Sequence, residues 1–187
     1  MPMPELPDLA TLSLAEIAEA AAAKRLPPVE SWHPTRSGDS EMRIAADGTW
    51  FHQGSPIARA NMVRLFSTIL RREADGGYVL VTPAEKLSIE VEDAPFVAVE
   101  VKSEGEERAR NLAFRLNTGD LVVAGPEHLI RVAGSAEEPR PYLAVRGGME
   151  ARIGRAAWVE LAGWAVDEGA DPPGLWSGGD FFAFDKQ

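Results

Sequence analysis

Cysteine is missing from the chain, which excludes disulfides, thiolate metal sites and cysteine nucleophiles. Histidine is scarce: His33, His52 and His128 are the three present, and no pair of them has metal-ligand spacing. Positive charge is in the minority, with 19 Lys and Arg against 29 Asp and Glu and a net charge of -10. That balance repels phosphate backbones and anionic membranes at long range, so generic nucleic-acid and membrane partners are not expected, although a local basic pocket stays compatible. Nowhere do about 18 uninterrupted apolar residues occur, and Met1-Pro2-Met3-Pro4-Glu5 lacks a basic stretch leading into an apolar run. The expectation is a cytoplasmic protein without secretion signal or membrane span. Catalytic signatures are missing too. Ser177, in Trp176-Ser177-Gly178-Gly179, has no Gly-x-Ser-x-Gly elbow, and Gly147-Gly148 is not followed by Gly-Lys-Ser/Thr. No cofactor, metal or catalytic set is implied.

What the sequence does contain is organised around residues 43 to 70. Asp47-Gly48, between a short extended run and Trp50-Phe51, signals a hairpin with a type I′ turn. The period then changes: Met62, Leu65, Phe66, Ile69 and Leu70 recur at helical spacing, predicting an amphipathic helix near 59–72 with Leu65 on its buried face. Ile57, Arg59, Ala60, Val63 and Leu65 are echoed by Ile153, Arg155, Ala156, Val159 and Leu161 at a constant offset of 96 positions. This reads as a duplicated strand-to-helix unit, with a second helix near 155–167.

Around that unit, Ser13-Leu14-Ala15-Glu16 fits a capping box leading an Ala-rich helix that stops before Pro27-Pro28. Its thin apolar face needs something to dock on. Val29 to Ser40 reads as a loop. Tyr78 to Thr82 and the alternating Leu87, Ile89 and Val91 read as strands, with Glu85-Lys86 a polar turn after Thr82-Pro83. Beyond Asp93-Ala94-Pro95, short strands separated by turn signals predict a strongly bent antiparallel sheet or small barrel with one helix against it, and an aromatic tail from Gly174 to Phe184 folding back. The chain is α+β, divided into an extension over 1–29, a first module over 30–93 and a strand-rich second module over 94–187.

Three blocks carry a resemblance: Asp47-Gly48-x-Trp50-x-His52-x-Gly54-x-x-Ile57-x-Arg59-x-x-Met62-Val63-x-Leu65-Phe66, then Leu80-Val81-Thr82-Pro83-x-Glu85-Lys86, then Val91-Glu92-Asp93-Ala94-Pro95-Phe96. With Trp176-Ser177-Gly178-Gly179 they resemble the bacterial family catalogued as domain of unknown function 1285. The resemblance implies a duplicated core of two modules, the second superficially like a pleckstrin-homology fold. It also implies a cleft at the module interface for a nucleotide-like or other small ligand, in signalling, with no activity established.

The candidate ligand-binding residues are His52, Arg59, Thr82, Glu85, Lys86, Glu92 and Asp93. Arg59 and its echo Arg155 stand at helix starts, where positive charge opposes the helix dipole. Either carboxylates or loop carbonyls clamp them, or their planar forks hold an anion. Three functions fit this pattern. A non-catalytic binding or sensor module for a small anion in the cleft needs no acid, base and nucleophile set. A metal-assisted enzyme on a phosphorylated or nucleotide-like metabolite would need Glu92, Asp93 and His52 to converge. A scaffold would engage another protein through the aromatic tail.

Overall fold

The computed structural model describes residues 9–185, so Met1 to Asp8 of the Pro-rich start lie outside it. The first helix, α1 (Leu14–Ala23), opens as its sequence predicts. Ser13 Oγ accepts from the Glu16 amide at 3.2 Å, and the Glu16 carboxylate accepts from the Ser13 amide at 3.0 Å. Its buried side chain, Ile17, packs with Leu9 and Ala113, flanked by Leu12, Leu14, Leu121 and Val123. The extension therefore docks on the second module.

The first module is a curled six-stranded sheet. In chain order it comprises β1 (Arg36–Ile44), β2 (Trp50–His52), β3 (Ser55–Pro56), helix α2 (Ala60–Thr68), β4 (Leu70–Arg72), β5 (Tyr78–Val81) and β6 (Glu85–Val91). The second module has β7 (Phe96–Glu104), β8 (Asn111–Leu116), β9 (Leu121–Val123), β10 (Ile130–Gly134), β11 (Pro139–Arg146), β12 (Met149–Ile153) and helix α3 (Arg155–Glu168). A hairpin, β13 (Gly174–Ser177) and β14 (Asp180–Ala183), follows. The sheet orders are β3-β2-β1-β6-β5-β4 and β10-β11-β12-β7-β8-β9. Both share one plan: an antiparallel meander runs outward, a second runs back, and the first and last strands meet as a parallel central pair, β1 with β6 and β7 with β12.

The duplication thus lies in the sheets, and the Ile-x-Arg frame does not mark it. In the first module the helix follows β3, an edge strand; in the second it follows β12, a central strand. Nor do the helices superpose by the frame. Val63 is half-buried and Leu65 is 64% exposed, whereas Val159 is 60% exposed and Leu161 fully buried.

Leu65 is therefore not a core residue. The inward stripe of α2 is Val63, Phe66 and Ser67, rotated about 100° from the expected one. Ser67, buried with its hydroxyl donating to the Arg64 carbonyl at 2.7 Å, hides that stripe from a hydrophobicity reading. The helix also ends at Thr68, four residues early, because Leu70–Arg72 pairs with β5.

Two turns differ from expectation. The Asp47-Gly48 hairpin exists, but Gly48 alone has positive φ (88°) there, and its amide donates to the Ala45 carbonyl at 2.9 Å. The turn is type I followed by a left-handed glycine. The pair of adjacent positive φ angles that a type I′ turn requires falls at Gln53 and Gly54, where His52 faces Ser55. Glu85-Lys86 is strand, not turn, and the expected loop to Ser40 is in part β1. Its polar Arg36 to Ser40 is held by parallel pairing with β6.

One apolar cluster runs through both modules, from Ile44, Trp50 and Leu70 to Phe96, Phe114 and Leu143, closed by Ala157, Leu161 and Ala165 of α3. Ser177 is buried in it, donating to the Ala124 carbonyl at 2.7 Å and accepting from the Leu112 amide at 2.8 Å. It pins the final hairpin to β8. No helix among the described residues is long and apolar enough to cross a membrane.

Candidate functional site

Where α1, α2 and the second module meet, they leave a cleft of about 460 Å³. Its charged lining is Lys24 from the end of α1, Arg64 from α2, Arg146 from β11 and Asp120 from the turn between β8 and β9. Asp120 is buried, accepts from the Thr118 hydroxyl at 2.6 Å and pairs with Lys24. Arg146 lies 3.9 Å from the same carboxylate, donates to the Ser67 carbonyl at 3.1 Å and stacks over Phe96 at 5.1 Å. Arg64 makes no side-chain hydrogen bond or ion pair among the described residues.

Electrostatics mark the cleft. Burial, then the guanidinium groups of Arg146 and Arg64, push the Lys24 amine down to about 8, even beside Asp120. Burial also lowers Arg146 from its ordinary value. Three cations against one carboxylate leave the cleft short of negative charge. Leu26, Leu121, Val122 and Val145 add apolar wall.

The residues expected from sequence stand elsewhere. His52 and Arg59 are exposed, and Arg59 forms the N-cap of α2 without a side-chain cap bond or an ion pair among the described residues. Thr82 closes its own turn, accepting from the Ala84 and Glu85 amides at 3.3 and 3.2 Å. Glu85 is 3.8 Å from Arg36 and Lys86 is 3.4 Å from Glu73, both within the first module. Glu92 pairs with Arg43 and accepts from the Ala46 amide at 2.9 Å. Asp93 alone reaches the other module, accepting from the Tyr142 hydroxyl at 2.6 Å and Arg152 at 3.1 Å. Glu92 and Asp93 thus have separate partners, and no group of three or more His, Asp or Glu among the described residues is arranged to hold a metal ion.

Residues 27–94 match the model described as "Domain of unknown function (DUF1285), N-terminal domain", and residues 95–184 match "Protein of unknown function (DUF1285), C-terminal domain". The chain belongs to the DUF1285 family. A crystal structure of a DUF1285 family protein from Silicibacter pomeroyi DSS-3 is 46% identical, with 91% of this chain and 94% of that chain covered and a TM-score of 0.81. Another, from Shewanella baltica OS155, is 26% identical over 69% of this chain and 92% of that chain, with a TM-score of 0.52. No curated protein matches. In this DUF1285 chain Lys24 lies ahead of both matched regions, so the cleft is completed by a residue of the extension.

Lys24, Arg64, Asp120 and Arg146 were not legible as a group. Each sits in an ordinary context, a helix end, an amphipathic helix, a Thr-Gly-Asp turn and a strand before Gly147-Gly148. Only the fold brings them together.

Proposed function

We propose that this protein is a cytoplasmic, non-catalytic binding or sensor module, and that a small anionic, nucleotide-like ligand occupies the cleft between the extension and the two modules. The convergence of Lys24, Arg64 and Arg146 from three separate elements, around one buried carboxylate, carries the reading. Lys24 and Arg146, whose pKa values burial lowers, gain from a bound anion what the protein itself does not supply. The apolar wall suits a ring alongside a phosphate or carboxylate. Because α1, α2 and β11 each contribute a cation, a bound anion would tie the extension and both modules together, which is the basis of the signalling role.

Melting-temperature screening with nucleotides, cyclic nucleotides and phosphorylated metabolites tests this. A ligand at a hundred times its dissociation constant adds about 2.7 kcal/mol to the native state, a shift of several degrees for a chain of this length. The expected hit is lost in Arg64→Ala. A shift of equal size in that variant, or no shift from any anionic metabolite, overturns the reading.

A further inference from the structure

The charges of the cleft do not balance. Among the described residues its charged lining consists of Lys24, Arg64, Arg146 and Asp120. Asp120, buried and bonded to the Thr118 hydroxyl, pairs with Lys24 and can cancel one of the three cations. With the Lys24 amine protonated, an excess of two positive charges remains.

Hydrogen-bond donors are in surplus as well. A guanidinium offers five N–H donors in a planar fork. Arg146 gives one hydrogen bond, from Nη2 to the Ser67 carbonyl at 3.1 Å, while its Nη1 stands 3.9 Å from the Asp120 carboxylate, beyond hydrogen-bond reach. The Arg64 side chain gives none among the described residues. Yet Arg146 is fixed in place, by Ser67 and by the Phe96 ring 5.1 Å away. A donor that folding has placed but not satisfied costs little ordering when an anion arrives.

His128 lines the cleft too, and its part in the balance follows from one hydrogen bond. Its Nδ1 lies 3.0 Å from the Ala144 carbonyl and must carry the proton, since a carbonyl only accepts. In the neutral ring Nε2 is then an acceptor, so His128 brings the anion neither charge nor donor. The excess of two rests on the amine and the two guanidinium groups.

A phosphate monoester matches that excess. Its second pKa is about 6, so it carries two charges near neutral pH, and its three terminal oxygens accept from planar forks. A phosphodiester or a carboxylate brings one charge. It would leave one cation uncompensated where burial already works against the charges of Lys24 and Arg146.

We propose that the cleft selects phosphate monoesters, bound as dianions, over phosphodiesters and carboxylates, with the phosphate on the free donors of Arg64, Arg146 and Lys24 and the rest of the ligand along Leu26, Leu121, Val122 and Val145. This selectivity rests on the anion-binding reading of the cleft given above. It narrows that reading, because a cyclic nucleotide is a diester and a 5′-nucleotide is a monoester.

Titration calorimetry of the whole chain near neutral pH tests this with pairs that share a body and differ in charge. Nucleoside 5′-monophosphates are set against their 3′,5′-cyclic counterparts, and glucose 6-phosphate against glucuronate. Within a pair the monoester should bind about tenfold more tightly or better. Lys24→Met lowers the excess by one charge and should shrink that ratio. Phosphorus NMR supplies a measurement that needs no variant: the second pKa of a bound monoester should fall below its free value, since the cleft favours the dianion. Equal affinities within the pairs, with binding still lost in Arg64→Ala, overturn the selectivity and leave the anion reading standing. So do an undiminished ratio in Lys24→Met and a phosphate pKa that stays or rises on binding. No binding by any of these anions overturns both.

Discussion

Asn117 reaches across from the second module to Gly48 in the first. Its Nδ2 donates to the Gly48 carbonyl at 3.3 Å while its Oδ1 accepts from the Val97 amide at 3.0 Å. A Cβ on Gly48 would lie 2.7 Å from that Nδ2 and 2.9 Å from Val97 Cγ2.

Gly48→Ala should accordingly destabilise the chain by about 1 to 3 kcal/mol, combining a positive φ with a clash at the module boundary. Asn117→Ala should cost a similar amount, about 1 to 3 kcal/mol, by leaving the Val97 amide unpaired. Denaturant melts of both variants check this, and a neutral Gly48→Ala would mean that the boundary gives way easily.

The paired leucines of the sequence repeat should behave oppositely. Leu161→Ala opens a cavity under α3 and should cost about 2 to 5 kcal/mol. Leu65→Ala changes an exposed surface and should stay within about 0.5 kcal/mol. Equal losses in the same melts would restore the repeat as a structural equivalence.

Ile17→Asp should free α1 while the body stays folded, because the cluster around Ile17 is separate from the main core. Limited trypsinolysis should then cut after Lys24 or Arg25 well before any site in the sheets. Simultaneous loss of the whole near-ultraviolet circular dichroism signal would show that the extension is part of the cooperative unit.

The Lys24 amine sets a pH dependence. With its folded value near 8 and its ordinary value 10.5, the folded chain holds fewer protons than the unfolded chain between those limits. This group's contribution to stability therefore rises with pH from about 8 toward 10.5. Anion affinity in the cleft should fall over the first part of that range as the amine loses its charge. Lys24→Met should remove both slopes in pH-resolved melts and titrations.

Sequence patterning exposed most of the architecture because short alternating runs and turn residues are local signals. The capping box at Ser13 and Glu16, the strand at Tyr78 to Val81 and the helix from Arg155 are all of that kind. The reading failed where a polar residue took an inward place, as with Ser67 in α2. It failed again where a strand owed its existence to a distant partner, as with Arg36 to Ser40 against β6. The cleft was hidden for the same reason. Its cations come from positions 24, 64 and 146, whose proximity is a product of tertiary packing with no local pattern to announce it. Arg59 stood out in sequence because it was repeated, yet it is a solvent-facing helix cap.

The parallel central pairs also dictate an order of assembly. β1 has to wait for β6, and β7 for β12, so each module's middle forms from strands at opposite ends of its segment. The outer hairpins need only neighbouring residues and can close within microseconds, whereas the centre must first surrender loop entropy over most of the module. On the ribosome the first module becomes complete only when β6 has emerged. Each sheet is thus built from its rims inward, and its last act is to zip its own middle.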